Sequence, residues 1–323
     1  MRAQYHQLGN NMSKPELLLL RAIYQPAMDE LEREFTVHKL WQAADAAQML
    51  KDVGPGIRAL VTPGIIGFTR AQVEALPKLE IIAMFGSNAT LDLAPARERG
   101  IAVTNTPDSI SGAVADLALG LMIASMRRIC EGDCFVRSGA WPTTTPPVGR
   151  EVRGKVCGIV GLGRIGAGVA ARAEACGMAV RYQGPRRKPQ VAYPYHEDVL
   201  SLARASDCLV VTCPSTPATR NLIDAQVLDA LGAEGFLINV ARGAIIDEEA
   251  MIAALAEKRI AGAGLDVYRD EPQVPAVLRA LDNVVLTPHV GSTTYEVREE
   301  RKRKLLTNLR AHFAGQPLLS PLP

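Results

Sequence analysis

The chain has 323 residues, enough for two domains, and 48% of them are hydrophobic, the proportion of an ordinary globular protein. A formal net charge of +2 gives no basis for nucleic acid or an anionic membrane as a partner. No apolar run approaches the roughly 20 residues of a spanning helix, and no cleavable signal is visible, so a cytoplasmic location is expected. The six cysteines include no C-x-x-C pair and read as reduced structural thiols. No metal site is expected from them.

Residues before Lys14 are polar and patternless and read as a loose tail. From 14 to 106 strands and helices alternate. The strands fall at 16–23, 36–40, 57–62, 80–84 and 101–104, and helices at 27–34, 43–51, 69–76 (capped by Thr69) and 91–98. This rhythm predicts a parallel sheet covered by helices. Pro107-Asp108-Ser109 then caps a long helix, 110–138, apolar nearly all round at first and so buried at an interface. Asp116 within it reads as a buried hydrogen-bonding group. The stretch 139–149, with Trp141, Pro142, Pro146 and Pro147, reads as an irregular loop suited to packing on a partner subunit.

A second alternating series places strands at 156–160, 179–183, 208–212, 236–239, 262–267 and 284–286. Six such strands fit a doubly wound dinucleotide-binding domain. The first carries the key motif. Val156-Cys157-Gly158-Ile159-Val160 is a buried-strand run that breaks into Gly161-Leu162-Gly163-Arg164-Ile165-Gly166 and enters an Ala-rich helix. Gly161 suits the tight turn, Gly163 lets backbone approach a pyrophosphate, and Gly166 lets helix and strand pack closely. The helix start points its free amides at the phosphates. A charged helix, 293–314, follows and is expected to return to the first domain.

The second of these strands decides the cofactor. NAD enzymes usually place an acid there for the ribose 2′-hydroxyl. Here the sequence is Tyr182-Gln183-Gly184-Pro185-Arg186-Arg187-Lys188, with no acid and three cations. Guanidinium groups hold a 2′-phosphate with charge-assisted bonds, so NADP is favoured over NAD. Three later segments end strands and carry reactive groups: Arg242 in 239–243, Glu271 in 264–272 and His289 in 287–292. Arg242 can clamp a carboxylate. His289 can give or take a proton, and Glu271 can hydrogen-bond the imidazole and favour its charged form.

With GLGRIG (161–166), INVARGAIIDE (238–248), GAGLDVYRDEP (262–272), LTPHVGSTT (286–294) and TNTPDSISGAVADLALGLMIASMRR (104–128), the chain resembles the D-isomer-specific 2-hydroxyacid dehydrogenase family from Leu17 to Pro317. The cofactor turn is most similar to the NADPH-dependent glyoxylate/hydroxypyruvate and hydroxyphenylpyruvate reductase branches. The resemblance implies an α/β protein with two doubly wound parallel sheets. A flavodoxin-like substrate domain would span 14–106 and 293–323, and a Rossmann cofactor domain 107–292. It implies Arg242, Glu271 and His289 as the catalytic set. Asp266 would stand near the nicotinamide carboxamide, Cys213 and Pro214 on the adenine side, and Ala241 and Gly291 along the cofactor. In the first domain Phe85 and Ser87 replace glycines of the family's carboxylate-binding turn, and the amides of Gly86 and Ser87 are candidate substrate contacts. The implied reaction is hydride transfer from NADPH to a small 2-oxoacid, giving the D-2-hydroxyacid, in a cytosolic homodimer and without metal. The alternatives are an NAD-dependent oxidiser of phosphoglycerate or lactate type, and a nucleotide-sensing interaction protein on the same fold, as in corepressor relatives. Formate dehydrogenase is disfavoured, because that branch has Gln where Glu271 stands. Glyoxylate, hydroxypyruvate, 2-ketogluconate and hydroxyphenylpyruvate all stay open as substrates.

Overall fold

A computed structural model of the chain describes residues 14–64, 66–86, 91–106 and 110–323. They form two compact units, Met1–Ser109 with Tyr295–Pro323, and Ile110–Thr294. In the first unit five strands, β1 (Glu16–Leu19), β2 (Thr36–Lys39), β3 (Ala59–Pro63), β4 (Ile81–Phe85) and β5 (Ala102–Thr104), pair in the order β2-β1-β3-β4-β5. Every pairing is parallel. A parallel sheet is covered on both faces, so its strands read as continuous apolar runs. Leu17, Leu18, Leu19 and Leu20 are all buried for that reason. Leu18, Leu60 and Ile82 fill one face, and Leu17, Leu19, Val61 and Ala83 fill the other, where Leu305, Leu306 and Leu309 of helix Tyr295–Phe313 join them. Thr69 caps its short helix, Arg70–Glu74, reciprocally with Gln72.

The second unit holds seven strands: β6 (Val156–Val160), β7 (Ala179–Gln183), β8 (Tyr195–His196), β9 (Cys208–Val211), β10 (Phe236–Asn239), β11 (Gly262–Leu265) and β12 (Val284–Leu286). They are all parallel, in the order β12-β11-β10-β9-β6-β7-β8. The order reverses between β6 and β9, which is where doubly wound sheets bind ligands. The two-residue β8 is an addition to the six expected strands; its Tyr195 packs against Tyr182, with ring centroids 5.3 Å apart.

Two expectations are corrected. The helix expected over 110–138 is two helices, Ser111–Arg127 and Ile129–Arg137, broken at Arg128, whose φ of 53° is left-handed. Arg150 N–H takes the Met126 carbonyl at 2.7 Å and Gly149 lies against the Arg127 backbone, so the returning chain caps the first helix. Asp116 is largely exposed and pairs with Arg172 at 2.7 Å rather than lying buried. The expected cap Pro107-Asp108-Ser109 lies outside the described residues.

Candidate active site

The turn after β6 is shaped by close approaches that a side chain would prevent. Gly161 has φ +95°, and a Cβ there would stand 2.7 Å from the Cys213 backbone. At Gly166 a Cβ would meet the Gly161 carbonyl at 2.4 Å, so turn and helix share one space. Thr212 Oγ1 donates to the Gly161 carbonyl at 2.7 Å and fixes the loop from the β9 side. At the exposed Gly163, by contrast, a Cβ would touch nothing within 4 Å. Open space therefore stands at the backbone amides that begin helix Arg164–Ala175. That cradle fits a pyrophosphate. Arg164 is exposed at the first helical position and Ile165 is half-buried behind it.

At the end of β7 no carboxylate is present. Arg186 and Arg187 are exposed, and neither has an acidic partner among the described residues. Lys188 is used differently. Its backbone N–H donates to the buried Tyr182 hydroxyl at 2.8 Å, and its ammonium donates to the Leu162 carbonyl in the glycine turn. Lys188 thus ties the cationic turn to the phosphate cradle. Sequence reasoning did not separate its role from those of the two arginines, because all three are cations in one loop.

Cys213 is buried against Gly161, and burial pushes its thiol up to about 11. Pro214 beside it is exposed, and its carbonyl accepts from Thr219 Oγ1 at 2.8 Å. Ala241 is buried, its N–H held by Asn239 Oδ1 at 3.0 Å.

The three reactive segments are tied together. A Cβ at Gly243 would lie 2.0 Å from the Tyr268 carbonyl carbon, so only glycine lets the Arg242 loop lie on the 268–269 peptide. Tyr268 N–H donates to Glu271 Oε1 at 3.0 Å, and the Tyr268 hydroxyl donates to the Thr287 carbonyl at 2.9 Å. Burial, with Asp266 and Glu271 adding to it, pushes that hydroxyl up to about 12, so it stays a neutral donor. The chain of contacts ends at His289, whose Nδ1 lies 2.6 Å from Glu271 Oε2. A carboxylate on Nδ1 holds the proton there and leaves Nε2 for other chemistry. Arg242 is exposed; one guanidinium nitrogen donates to the Ala241 carbonyl at 2.6 Å, and no carboxylate pairs with it among the described residues.

Asp266, Gly291 and Gly86 have partners within the chain that the sequence did not reveal. Asp266 is buried with both oxygens engaged. Oδ1 accepts from Thr287 Oγ1 at 2.6 Å and Val290 N–H at 2.8 Å, and Oδ2 from Gly291 N–H at 2.8 Å. It fastens the His289 loop, and Gly291 is the buried anchor of that loop. Gly86 N–H donates to the buried Thr106 hydroxyl at 2.7 Å, so that amide is already committed. Ser87 lies outside the described residues. Three of these bonds are made by backbone amides, those of Val290, Gly291 and Gly86, which leave no mark in a sequence.

A glycine cradle at the switch point of a doubly wound sheet, with a histidine–carboxylate pair at the same sheet edge, defines a dinucleotide-binding α/β protein with acid–base chemistry. Residues 119–291 match the model of the D-isomer specific 2-hydroxyacid dehydrogenase, NAD binding domain. Glyoxylate/hydroxypyruvate reductase A of Arabidopsis thaliana is 45% identical over 295 residues, 91% of this chain and 94% of that protein. The solved 2-hydroxyacid dehydrogenase of Ketogulonicigenium vulgare Y25 superposes with a TM-score of 0.90 at 44% identity, covering 97% of this chain and 99% of that one. An NADPH-dependent glyoxylate/hydroxypyruvate reductase of Sinorhizobium meliloti, solved with NADP and malonate, gives 0.83 at 36% identity, over 96% and 97%. The chain belongs to the D-isomer specific 2-hydroxyacid dehydrogenase family.

Proposed function

We propose that the protein is an NADPH-dependent reductase of small 2-oxoacids, of glyoxylate or hydroxypyruvate type, giving the D-2-hydroxyacid. The observation that carries this reading is the His289–Glu271 pair at 2.6 Å, on the carboxyl edge of a dinucleotide-binding sheet. The acid-free end of β7, with no acidic partner for Arg186 or Arg187 among the described residues, supports NADPH over NADH, and the relatives' named activities agree with both cofactor and substrate class.

In this reading Gly161, Gly163, Arg164, Ile165 and Gly166 hold the pyrophosphate, and Arg186 and Arg187 the 2′-phosphate. Bound NADPH supplies a hydride to the keto carbon. Arg242 holds the substrate carboxylate and draws charge from the adjacent carbonyl. His289 gives the proton from Nε2 to the oxygen that gains charge, and Glu271 stabilises the imidazolium and fixes the ring. The unit of Ile110–Thr294 is the cofactor domain and the other unit the substrate domain.

A homodimer belongs to the same reading. Helix Ile129–Arg137 buries none of its residues, and Ile129, Val136, Trp141 and Val148 each expose more than half their surface. Apolar exposure concentrated in one stretch marks a protein interface. Its free cysteines suit a reducing cytoplasm. No helix among the described residues is long and apolar enough to cross a membrane.

The test is NADPH oxidation followed by absorbance with glyoxylate, hydroxypyruvate, 2-ketogluconate and hydroxyphenylpyruvate, beside the same set with NADH. Turnover of at least one, faster with NADPH and giving a D-product where the product is chiral, is expected. No turnover of any of them defeats the reading, and equal use of NADH defeats its cofactor half.

A further inference from the structure

Two acids stand side by side at the start of helix Glu248–Ala256, in opposite surroundings. The Glu249 side chain is 82% exposed, as suits an acid that only favours the positive end of a helix. The Glu248 side chain is 6% exposed. A carboxylate taken out of water weakens a fold unless hydrogen bonds replace the water. Glu248 does not find them on its own helix, whose start is capped by Asp247 through the Ala250 N–H at 3.1 Å. Its Oε2 accepts the backbone N–H of Arg269 at 3.2 Å, and its Oε1 lies 3.7 Å from Arg269 Nε. Glu248 is therefore a buried carboxylate spent on the segment that carries Glu271.

Two carboxylates hold consecutive amides there. Glu271 Oε1 takes the Tyr268 N–H at 3.0 Å, and Glu248 takes the next one. The peptide between Tyr268 and Arg269 is also the one on which Gly243 lies, since a Cβ at Gly243 would stand 2.3 Å from the Arg269 nitrogen. Gly243 and Glu248 both belong to the segment that begins at Arg242, so that segment fixes this peptide twice. A peptide plane that turned here would carry the Tyr268 backbone with it. Glu271 has one oxygen on the Tyr268 amide and the other 2.6 Å from His289 Nδ1. Its aim at the imidazole is thus set by where the Tyr268 amide stands. All of these residues lie in one compact unit.

We propose that Glu248 is a positioning residue for proton transfer: by fixing the 268–269 peptide it aims Glu271, and so keeps the proton of the neutral His289 ring on Nδ1 and leaves Nε2 for the exchange. A group displaced by about 1 Å from its working geometry loses on the order of 10²-fold in rate, so a buried hold at one remove from the acid has a kinetic effect. That the hold serves a reduction rests on the reductase reading above, whereas its effect on the imidazole rests on the chain of bonds alone.

The test is nitrogen-15 magnetic resonance of the full chain labelled in its five histidines, with His289 assigned from the signals lost in His289→Ala. In the neutral ring the two nitrogen shifts report which nitrogen carries the proton. Wild type should hold it on Nδ1, and Glu248→Ala should lose that preference. Glu248→Gln keeps an oxygen that can take the Arg269 amide, so it should keep the wild-type pattern. Glu248→Asp draws the oxygens back by one carbon and should fall between, and it decides the matter if the Ala variant does not fold. In kinetics Glu248→Ala should lower kcat ~10-fold or more with KM for NADPH within about threefold, and Glu248→Gln should restore kcat. A wild-type ring protonated on Nε2 overturns the proposal, as does an unmoved tautomer in the Ala variant, or in the Asp variant where Ala does not fold. So does a Gln variant as impaired as Ala, or a KM for NADPH that rises as much as kcat falls, either of which makes Glu248 a structural group. If wild type reduces no 2-oxoacid at all, the reductase reading falls, and the tautomer comparison still decides whether Glu248 positions His289.

Discussion

His289 sits at φ +52°, a left-handed conformation that a histidine adopts only when its surroundings over-determine it. Asp266 supplies that constraint: its carbonyl takes the His289 amide at 2.9 Å and its side chain takes the next two amides. The strain aims the imidazole, and Glu271 then fixes the ring. His289→Ala should lower kcat for reduction by roughly 10²–10⁴ while NADPH binding, followed by fluorescence, survives. Glu271→Gln keeps the shape but removes the anion that stabilises the imidazolium, so kcat should fall with little change in NADPH affinity. Near-normal kcat in His289→Ala would remove His289 from the mechanism, and a silent Glu271→Gln would reduce Glu271 to a spacer. Arg242, Glu271 and His289 were readable as candidates because their chemistry is written in their side chains. Asp266 as a clamp on the His289 loop was not, because two of the three groups its side chain holds are main-chain amides.

Among the elements, the turn after β7 is where sequence and geometry meet most directly. Lys188 latches it to Leu162, and Tyr195 Oη donates to the Gly184 carbonyl at 3.1 Å, so Arg186 and Arg187 are presented on a fixed support. Replacing both by Ser should raise KM for NADPH strongly, since each lost charge-assisted bond is worth roughly 1.5–3 kcal/mol. NADH kinetics should hardly move; a double variant that keeps its preference would place the 2′-phosphate elsewhere. β6, β7, β10 and β12 begin and end where their residues suggest; β6 and β10 were legible as almost continuous buried apolar runs. The break at Arg128 was hidden, since a left-handed arginine carries no glycine signal and its cause, the chain at Gly149 and Arg150, is more than twenty residues away. β8 was hidden by its brevity.

For the molecule as a whole the apolar surface is unevenly spread. The helix Ile129–Arg137 exists without burying a single residue, although most helical stability in proteins comes from packing an apolar face. Its ion pairs, Arg128–Glu131 and Arg137–Asp133, are surface pairs that contribute little to stability. A second copy of the chain would supply the missing cover for Ile129, Val136 and Trp141. Wild type should therefore sediment at twice the chain mass at about 10 µM, above the roughly micromolar Kd of the weaker interfaces of standard size. Ile129→Glu with Val136→Glu puts two charges into that cover, and burying unpaired charge costs several kcal/mol, so this variant should sediment as a monomer with unchanged far-ultraviolet circular dichroism. NADPH binding should persist in it, because Gly161, Thr212 and Cys213 build the phosphate cradle from one chain. A monomeric wild type would leave the patch without a dimer partner, and a double variant that stays dimeric would move the interface to another face.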